Sequence, residues 1–290
     1  MSVDNLKINR TDIEKIVLVG GRNARAAQTI INGLEEKPDY IINGGHFVNS
    51  PGHQHHGLTI TDAIVNGEFI NGGNYNEMYE DEGFAWNNIN DLTFTTTSTA
   101  IKNKYDNYLA GSPCLVKNGV LNENKYLNSV FARQKTKRIG MGITDKYLIF
   151  SFPKNNCTAK NVAQKLMGFG CKNAILLDGG GSQYVGKVNS GKVSHLDANC
   201  KNRPVSTWIC IYMKKTKTFP RVYEVVTSKL NMYSQPDINS ALYKREIPSG
   251  VLTKGSRITV FDIVYNEKET RYYAKSYGYY VALTGIKDTQ

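Results

Sequence analysis

Short apolar runs separated by glycine-rich or polar turns recur along the chain, and stretches with helical periodicity are few. Ile13 to Val19 and Tyr40 to Asn43 cluster branched residues as strands do, and between them Ala27, Ile30, Ile31 and Leu34 recur at helical spacing within residues 23–36. Tyr147 to Phe152 reads as another strand. Thr158 is placed to cap a helix over 159–169, Gly170 to end it, and Ala174 to Leu177 to form the next strand. This strand–helix–strand order, closed by the apolar run Thr207 to Met213, predicts an α+β domain on a mixed sheet flanked by helices. Beyond it the pattern changes. Residues 221–226, 257–265, 272–276 and 279–283 are short runs rich in Val, Ile and Tyr between Pro, Gly and polar turns, which predicts a small all-β unit. The basic stretch Lys214 to Pro220 (KKTKTFP) reads as the linker, giving domains 1–216 and 217–290.

Composition narrows the possibilities. With 290 residues and 40% hydrophobic positions the chain can bury a core, which excludes disorder. The 36 basic and 25 acidic residues leave a formal charge of +11 and imply an anionic partner. Nucleic acid is not expected, because KKTKTF is the only basic cluster and no reading motif accompanies it. No apolar run approaches the roughly 18 residues of a membrane span, and the segment from Met1 to Arg10 has no hydrophobic signal core. The expectation is synthesis in the cytoplasm without a signal peptide. Cys114, Cys157, Cys171, Cys200 and Cys210 form no CxxC pair, so reduced, buried thiols are expected rather than a disulfide scaffold or zinc knuckle. Residues 221–290 hold 9 of the 18 tyrosines, a content suited to stacking on sugar or apolar peptide as well as to an ordinary barrel core.

Three glycine-rich or arginine-bearing segments carry candidate chemistry. In Ala174 to Ser182 (AILLDGGGS) a strand delivers Asp178 to its end, and Gly179, Gly180 and Gly181 permit a tight turn whose amides could cradle an anionic oxygen, with Ser182 as a hydroxyl donor. Ile41 to Phe47 (IINGGHF) supplies Asn43, Gly44 and His46 after another strand. The following His53-Gln54-His55-His56 raises a divalent-metal reading, but no H-E-x-x-H helix or cysteine pair supports it, and a solvated or substrate-lining loop is preferred. Asn202 to Ser206 (NRPVS) places Arg203 and Ser206 before a strand, and Arg138 sits similarly in Lys137 to Gly142 (KRIGMG). Guanidinium groups at strand edges suit carboxylate or phosphate.

Together these segments resemble the phosphodiester glycosidase family. NGGHF stands for its Asn-Gly-x-Phe opening, and Gly111 to Gly119 (GSPCLVKNG) is similar to its G-x-P-x-L-V-x-x-G hairpin. Arg138 precedes an apolar-glycine strand as in the family, and LDGGGS and RPVS match its strongest signatures, over about residues 15–213. Departures are His46 where an aromatic residue is common, Gln183 where Ser or Thr is frequent, and Thr207 where Asn is frequent. The resemblance implies hydrolysis of a sugar-1-phosphodiester at the anomeric carbon. It casts Asp178 as nucleophile or base, Arg138 and Arg203 as catalytic cations, and Asn43, Gly44, His46, the glycine turn, Ser182 and Ser206 as substrate-binding. Asp62, Glu68 and Asp197 are further candidate carboxylates.

The C-terminal segments resemble a bacterial Src-homology-3-like (SH3-like) domain. Leu230 to Pro236 (LNMYSQP) looks like its opening element, with Tyr233 in place of the usual arginine; Lys254 to Val260 (KGSRITV) and Gly278 to Val281 (GYYV) look like its central and closing strands. That implies a small SH3-like barrel that binds bacterial cell wall. The combined expectation is a hydrolase of a glycosyl phosphodiester in a bacterial cell-envelope polymer such as teichoic acid, phage-encoded and endolysin-like or tail-associated, with cell-wall glycopolymer or peptidoglycan as its partner. The alternative is a non-catalytic binder of the same polymer.

Overall fold

The computed structural model describes residues 4–70, 82–111, 113–123, 127, 129–199, 201–214, 221–244, 247, 249–266, 268 and 271–289. Ser112, Cys200 and residues 215–220 of the expected linker lie outside them. The chain divides into two compact units, Met1–Lys214 and Lys215–Gln290.

Three sheets make up the first unit. The six-stranded sheet runs in the order Asn5–Asn9, Tyr147–Ser151, Gly140–Ile143, Asn173–Leu176, Cys114–Lys117, Val120–Leu121. A five-stranded sheet runs Lys192–Ala198, Tyr184–Asn189, Tyr40–Asn43, Val205–Met213, Ile13–Arg25, and a second one Glu68–Ile70, Ala63–Val65, Asn107–Ala110, Glu82–Trp86, Thr93–Thr96. Every ladder among the described residues is antiparallel.

The expected helix-flanked α+β domain with a mixed sheet is therefore wrong: this is a mostly β protein. The reason lies in strand insertion. Ile13–Arg25 and Tyr40–Asn43 do flank a helix, but Val205–Met213 enters between them and pairs antiparallel with both. In the same way Gly140–Ile143 separates Tyr147–Ser151 from Asn173–Leu176. Each strand–helix–strand passage skips one place, and a strand from elsewhere in the sequence fills it. The helices are also short: α1 (Ala27–Gly33), α2 (Thr97–Lys102), α3 (Val130–Arg133) and α4 (Ala159–Gly168). The helical spacing over 23–36 yields only α1, because the preceding strand continues to Arg25.

Period-two alternation divides the core. Ile209 and Ile211 of Val205–Met213 join Ile175, Leu177, Phe84 and Trp86 in a cluster common to all three sheets, whereas Trp208, Cys210 and Tyr212 face Ile30 and Ile31 of α1. Helix α4 begins at a reciprocal cap between Thr158 and Asn161, ends before Gly170 at φ +81°, and packs Val162, Ala163 and Leu166 on Ile149, Ala174 and Leu176. Cys157, Cys171 and Cys210 are buried free thiols, and Cys114 is buried with its Sγ donating to Val116 O at 3.5 Å.

The second unit is all β, yet among its described residues no barrel closes, which corrects the expected SH3-like barrel. Its strands form three small sheets: Arg257–Val260, Arg221–Val225 and Ile286–Asp288; Lys229–Asn231 with Val251–Thr253; and Asp262–Asn266, Arg271–Lys275 and Tyr280–Ala282. The long strand expected over 257–265 breaks at Phe261, whose N–H turns to Lys275 O at 2.9 Å, so one sheet ends where the next begins. Tyr223, Tyr233, Tyr273 and Tyr279 are buried, and the core around Tyr223 and Tyr279 includes Val225, Met232 and Val281; Tyr272 and Tyr277 are exposed. Much of the tyrosine content is thus core.

Candidate active site

Asp178 lies two residues past Asn173–Leu176, where the backbone passes from one sheet to another. Leu177 N–H donates to Ile139 O (2.9 Å) on the six-stranded side, and Asp178 N–H donates to Gly44 O (2.9 Å), just past Tyr40–Asn43 of the first five-stranded sheet. Asn43 staples this seam. Fully buried, it donates from Nδ2 to Asp178 O at 2.7 Å and accepts Tyr184 N–H on Oδ1 at 2.9 Å. Gly44 N–H donates to Thr207 O (2.8 Å) and Gly45 N–H to Thr207 Oγ1 (2.9 Å), tying in the strand that follows Arg203.

At Gly179 close approach to backbone requires glycine, whereas Gly181 meets the movable end of an arginine side chain. A Cβ at Gly179 would sit 2.5 Å from Lys137 O, and one at Gly181 would sit 2.7 Å from Arg203 Nη1. The guanidinium of Arg203 therefore lies directly on the turn. Of the turn's amides, Gly180 N–H donates to Lys137 O (2.8 Å), Ser182 N–H to Gly179 O (3.0 Å), and Gly179 N–H faces the Asp178 carboxylate. The turn holds Asp178 and seats Arg203.

Around the carboxylate, His46 Nε2 stands 3.4 Å from Asp178 Oδ1, and the two side chains retain 10% and 13% exposure, enough to present an edge to a substrate. Burial raises the Asp178 pKa, opposed by His46, the Ser182 hydroxyl, Arg203 and the Gly179 amide. Burial also lowers the His46 pKa, Asp178 opposing and Arg138 adding to the effect. Burial thus disfavours charge on both groups while each opposes the shift of the other, an arrangement suited to proton transfer.

The two arginines differ. Arg203 bears on Asp178 electrostatically, and its buried Nε, like that of Arg138, has no hydrogen-bond partner among the described residues. Arg138 is fully buried: its Nη2 donates to Phe131 O and to Gln134 O (3.2 Å) at the end of α3, and its guanidinium lies over the Phe131 ring at 4.5 Å. Burial lowers its pKa, while Cys157 and Asp178 oppose. Ser206 and Thr61 have buried hydroxyls without hydrogen-bond partners among the described residues, Thr61 against Gly45.

Structure thus brings together Asp178, His46, Ser182, Arg203 and the glycine turn, with Arg138 close behind, whereas the Asn43 side chain is committed to backbone. Sequence reasoning missed Phe131, whose ring meets the His46 ring edge-on at 5.3 Å; α3, only one turn long, gives no periodic signal. It also missed Thr61, which lies in a loop without any motif. Of the other carboxylates, Asp197 accepts from Gln183 Nε2 at 2.8 Å, next to Ser182, and Glu68 pairs with Arg22 at the surface. Among the described residues no group of three or more His, Cys, Asp or Glu side chains could hold a metal; His53 and His55 face one another in an exposed turn, ring centroids 5.6 Å apart.

A solved structure of the zebrafish N-acetylglucosamine-1-phosphodiester alpha-N-acetylglucosaminidase catalytic domain, auto-inhibited by its pro-peptide, is similar at TM-score 0.53 and 19% identity, over 68% of this chain and 73% of that one. A hypothetical protein from Synechocystis is similar at TM-score 0.46 and 16% identity, over 72% of this chain and 59% of that one. No curated protein matches. Residues 36–212, more than half of the chain and the whole stretch from Tyr40–Asn43 to the strand after Arg203, match the phosphodiester glycosidase family. The chain belongs to that family and is a phosphodiester glycosidase.

Proposed function

We propose that the protein hydrolyses a sugar-1-phosphodiester at the bond between the anomeric carbon and the bridging oxygen, with Asp178 acting on the sugar and Arg203 on the departing phosphate. The observation that carries this reading is the joint placement of the Asp178–His46 pair and the Arg203 guanidinium on one glycine turn. Water adds its oxygen to the anomeric carbon, the carbon–oxygen bond breaks toward oxygen, and the products are a free sugar and a phosphomonoester. A phosphomonoester leaves as an anion, so cationic stabilisation serves it better than a strong acid. A carboxylate serves the developing positive charge on the sugar, as nucleophile or as base for water.

Hydrolysis in ¹⁸O-labelled water tests the reading. The label is expected in the sugar; label in the phosphate would assign cleavage to the phosphorus–oxygen bond and overturn it. Asp178→Asn is expected to lower kcat by about 10²–10⁴-fold, the usual contribution of a positioned proton-transfer group, with an unchanged far-ultraviolet circular dichroism spectrum.

The biological substrate proposed is an anionic glycopolymer of the bacterial envelope, reached by a phage-encoded enzyme whose C-terminal unit holds the wall. Its support is the net charge of +11, which suits a polyanionic target, together with the sequence resemblance of that unit. Release of free sugar from purified walls, followed by mass spectrometry, tests it; release of peptide or of glycan-strand fragments would redirect it.

A further inference from the structure

Arg138 was expected among the catalytic cations, but its surroundings give it another task. Its guanidinium is buried at 1% exposure and is engaged from one side by carbonyl oxygens, those of Phe131 and Gln134. These belong to the last turn of α3 and the residue after it, where unpaired carbonyls and the helix dipole favour a cation. The same guanidinium lies against the Phe131 ring, and that ring meets His46 edge-on. Phe131 is only partly buried. It packs against the cluster of Leu127, Ala132 and α4, while its contact with His46 carries it to the reacting pair.

We propose that Phe131 is the aromatic wall of the sugar subsite, stacking on the apolar face of the pyranose that Asp178 attacks, and that Arg138 is a positioning residue which fixes this wall through the end of α3 instead of binding phosphate. The inference rests on the glycosidase reading above and adds to it the surface that recognises the sugar. A ring held by its own backbone carbonyl, by a cation at its face and by a neighbouring imidazole has little freedom left to lose on stacking. Arg203 remains the cation for the phosphate.

A double-mutant cycle separates this assignment from direct phosphate binding. Phe131→Ala, Arg138→Lys and the pair are assayed on a sugar-1-phosphodiester, with circular dichroism to confirm folding. Lysine keeps the charge but cannot engage two carbonyls and a ring as the planar fork does. Phe131→Ala is expected to raise KM about tenfold, with Phe131→Tyr restoring it; Arg138→Lys is expected to weaken substrate binding similarly, and the double variant to lose no more than the worse single. Inhibition by inorganic phosphate is expected to be unchanged in both single variants and weakened in Arg203→Lys. Additive losses in the cycle, or weaker phosphate inhibition in Arg138→Lys, would overturn the positioning role. An unchanged KM in Phe131→Ala would overturn the wall. The ¹⁸O experiment on the wild type decides the underlying reaction independently, so the two failures are distinguishable.

Discussion

Burial pushes Asp178 and His46 in opposite directions, and each has a consequence that titration can read. The folded-state pKa of Asp178 lies above its unfolded value, so its contribution to stability is present in acid and is lost as pH rises through the raised pKa. His46 has a folded pKa below its unfolded value, so its contribution is present above the ordinary histidine range and is lost as pH falls through the lowered value. Asp178→Asn, which removes the ionisation, is therefore expected to gain Tm relative to wild type as pH is raised from acid to neutral. In kinetics, the acid limb of kcat/KM is expected to fall at a higher pH than a free aspartate gives. His46→Asn should move that limb further up, because His46 opposes the rise of the Asp178 pKa. A limb at the ordinary aspartate position in wild type would contradict the buried pair. Much of this was legible in sequence: a carboxylate at a strand end before three glycines needs little context. What could not be read was how differently Arg138 and Arg203 are held, since both are arginines at strand edges and only their neighbours tell them apart.

Among the elements, the seam between the six-stranded sheet and its five-stranded neighbour matters most, and Asn43 tests it. Asn43→Ala removes the partner of Tyr184 N–H and one partner of Asp178 O in a buried place. Lost hydrogen bonding of about 1–3 kcal/mol for each buried group predicts a destabilisation of roughly 2–5 kcal/mol, to be measured as a shift of the denaturant midpoint. A fall in activity with the midpoint unchanged would instead assign Asn43 to the substrate. Individual elements were largely visible in the pattern, as the Thr158 cap and the strand before Asp178 show. The sheets were not, because the strand that separates Ile13–Arg25 from Tyr40–Asn43 comes from residues 205–213, far beyond the reach of local periodicity. Phe131 in its single helical turn and loop-held Thr61 stayed invisible for a related reason: their relevance comes only from what packs beside them.

For the whole molecule, the division after Lys214 puts every group named at the site in the first unit. A chain ending at Lys214 is expected to fold and to turn over a small sugar-1-phosphodiester at the full-length rate, while sedimenting less with purified walls. Loss of small-substrate turnover in a folded truncation would give the second unit a part in the chemistry. The resemblance in residues 221–290 was read correctly as β structure but not as architecture, since turn and strand residues alone do not say whether short ladders join edge to edge.

One bond described above, from Asp178 N–H to Gly44 O, carries a wider implication. The acid belongs to one slab of the protein and its imidazole partner follows the central strand of another, so that link works like the rivet of a pair of scissors. Slippage of a single ångström between the blades separates the reacting groups while leaving both blades whole. Warming should accordingly silence the enzyme some degrees before calorimetry records its melting, and a ligand that spans the joint should bring the two temperatures together.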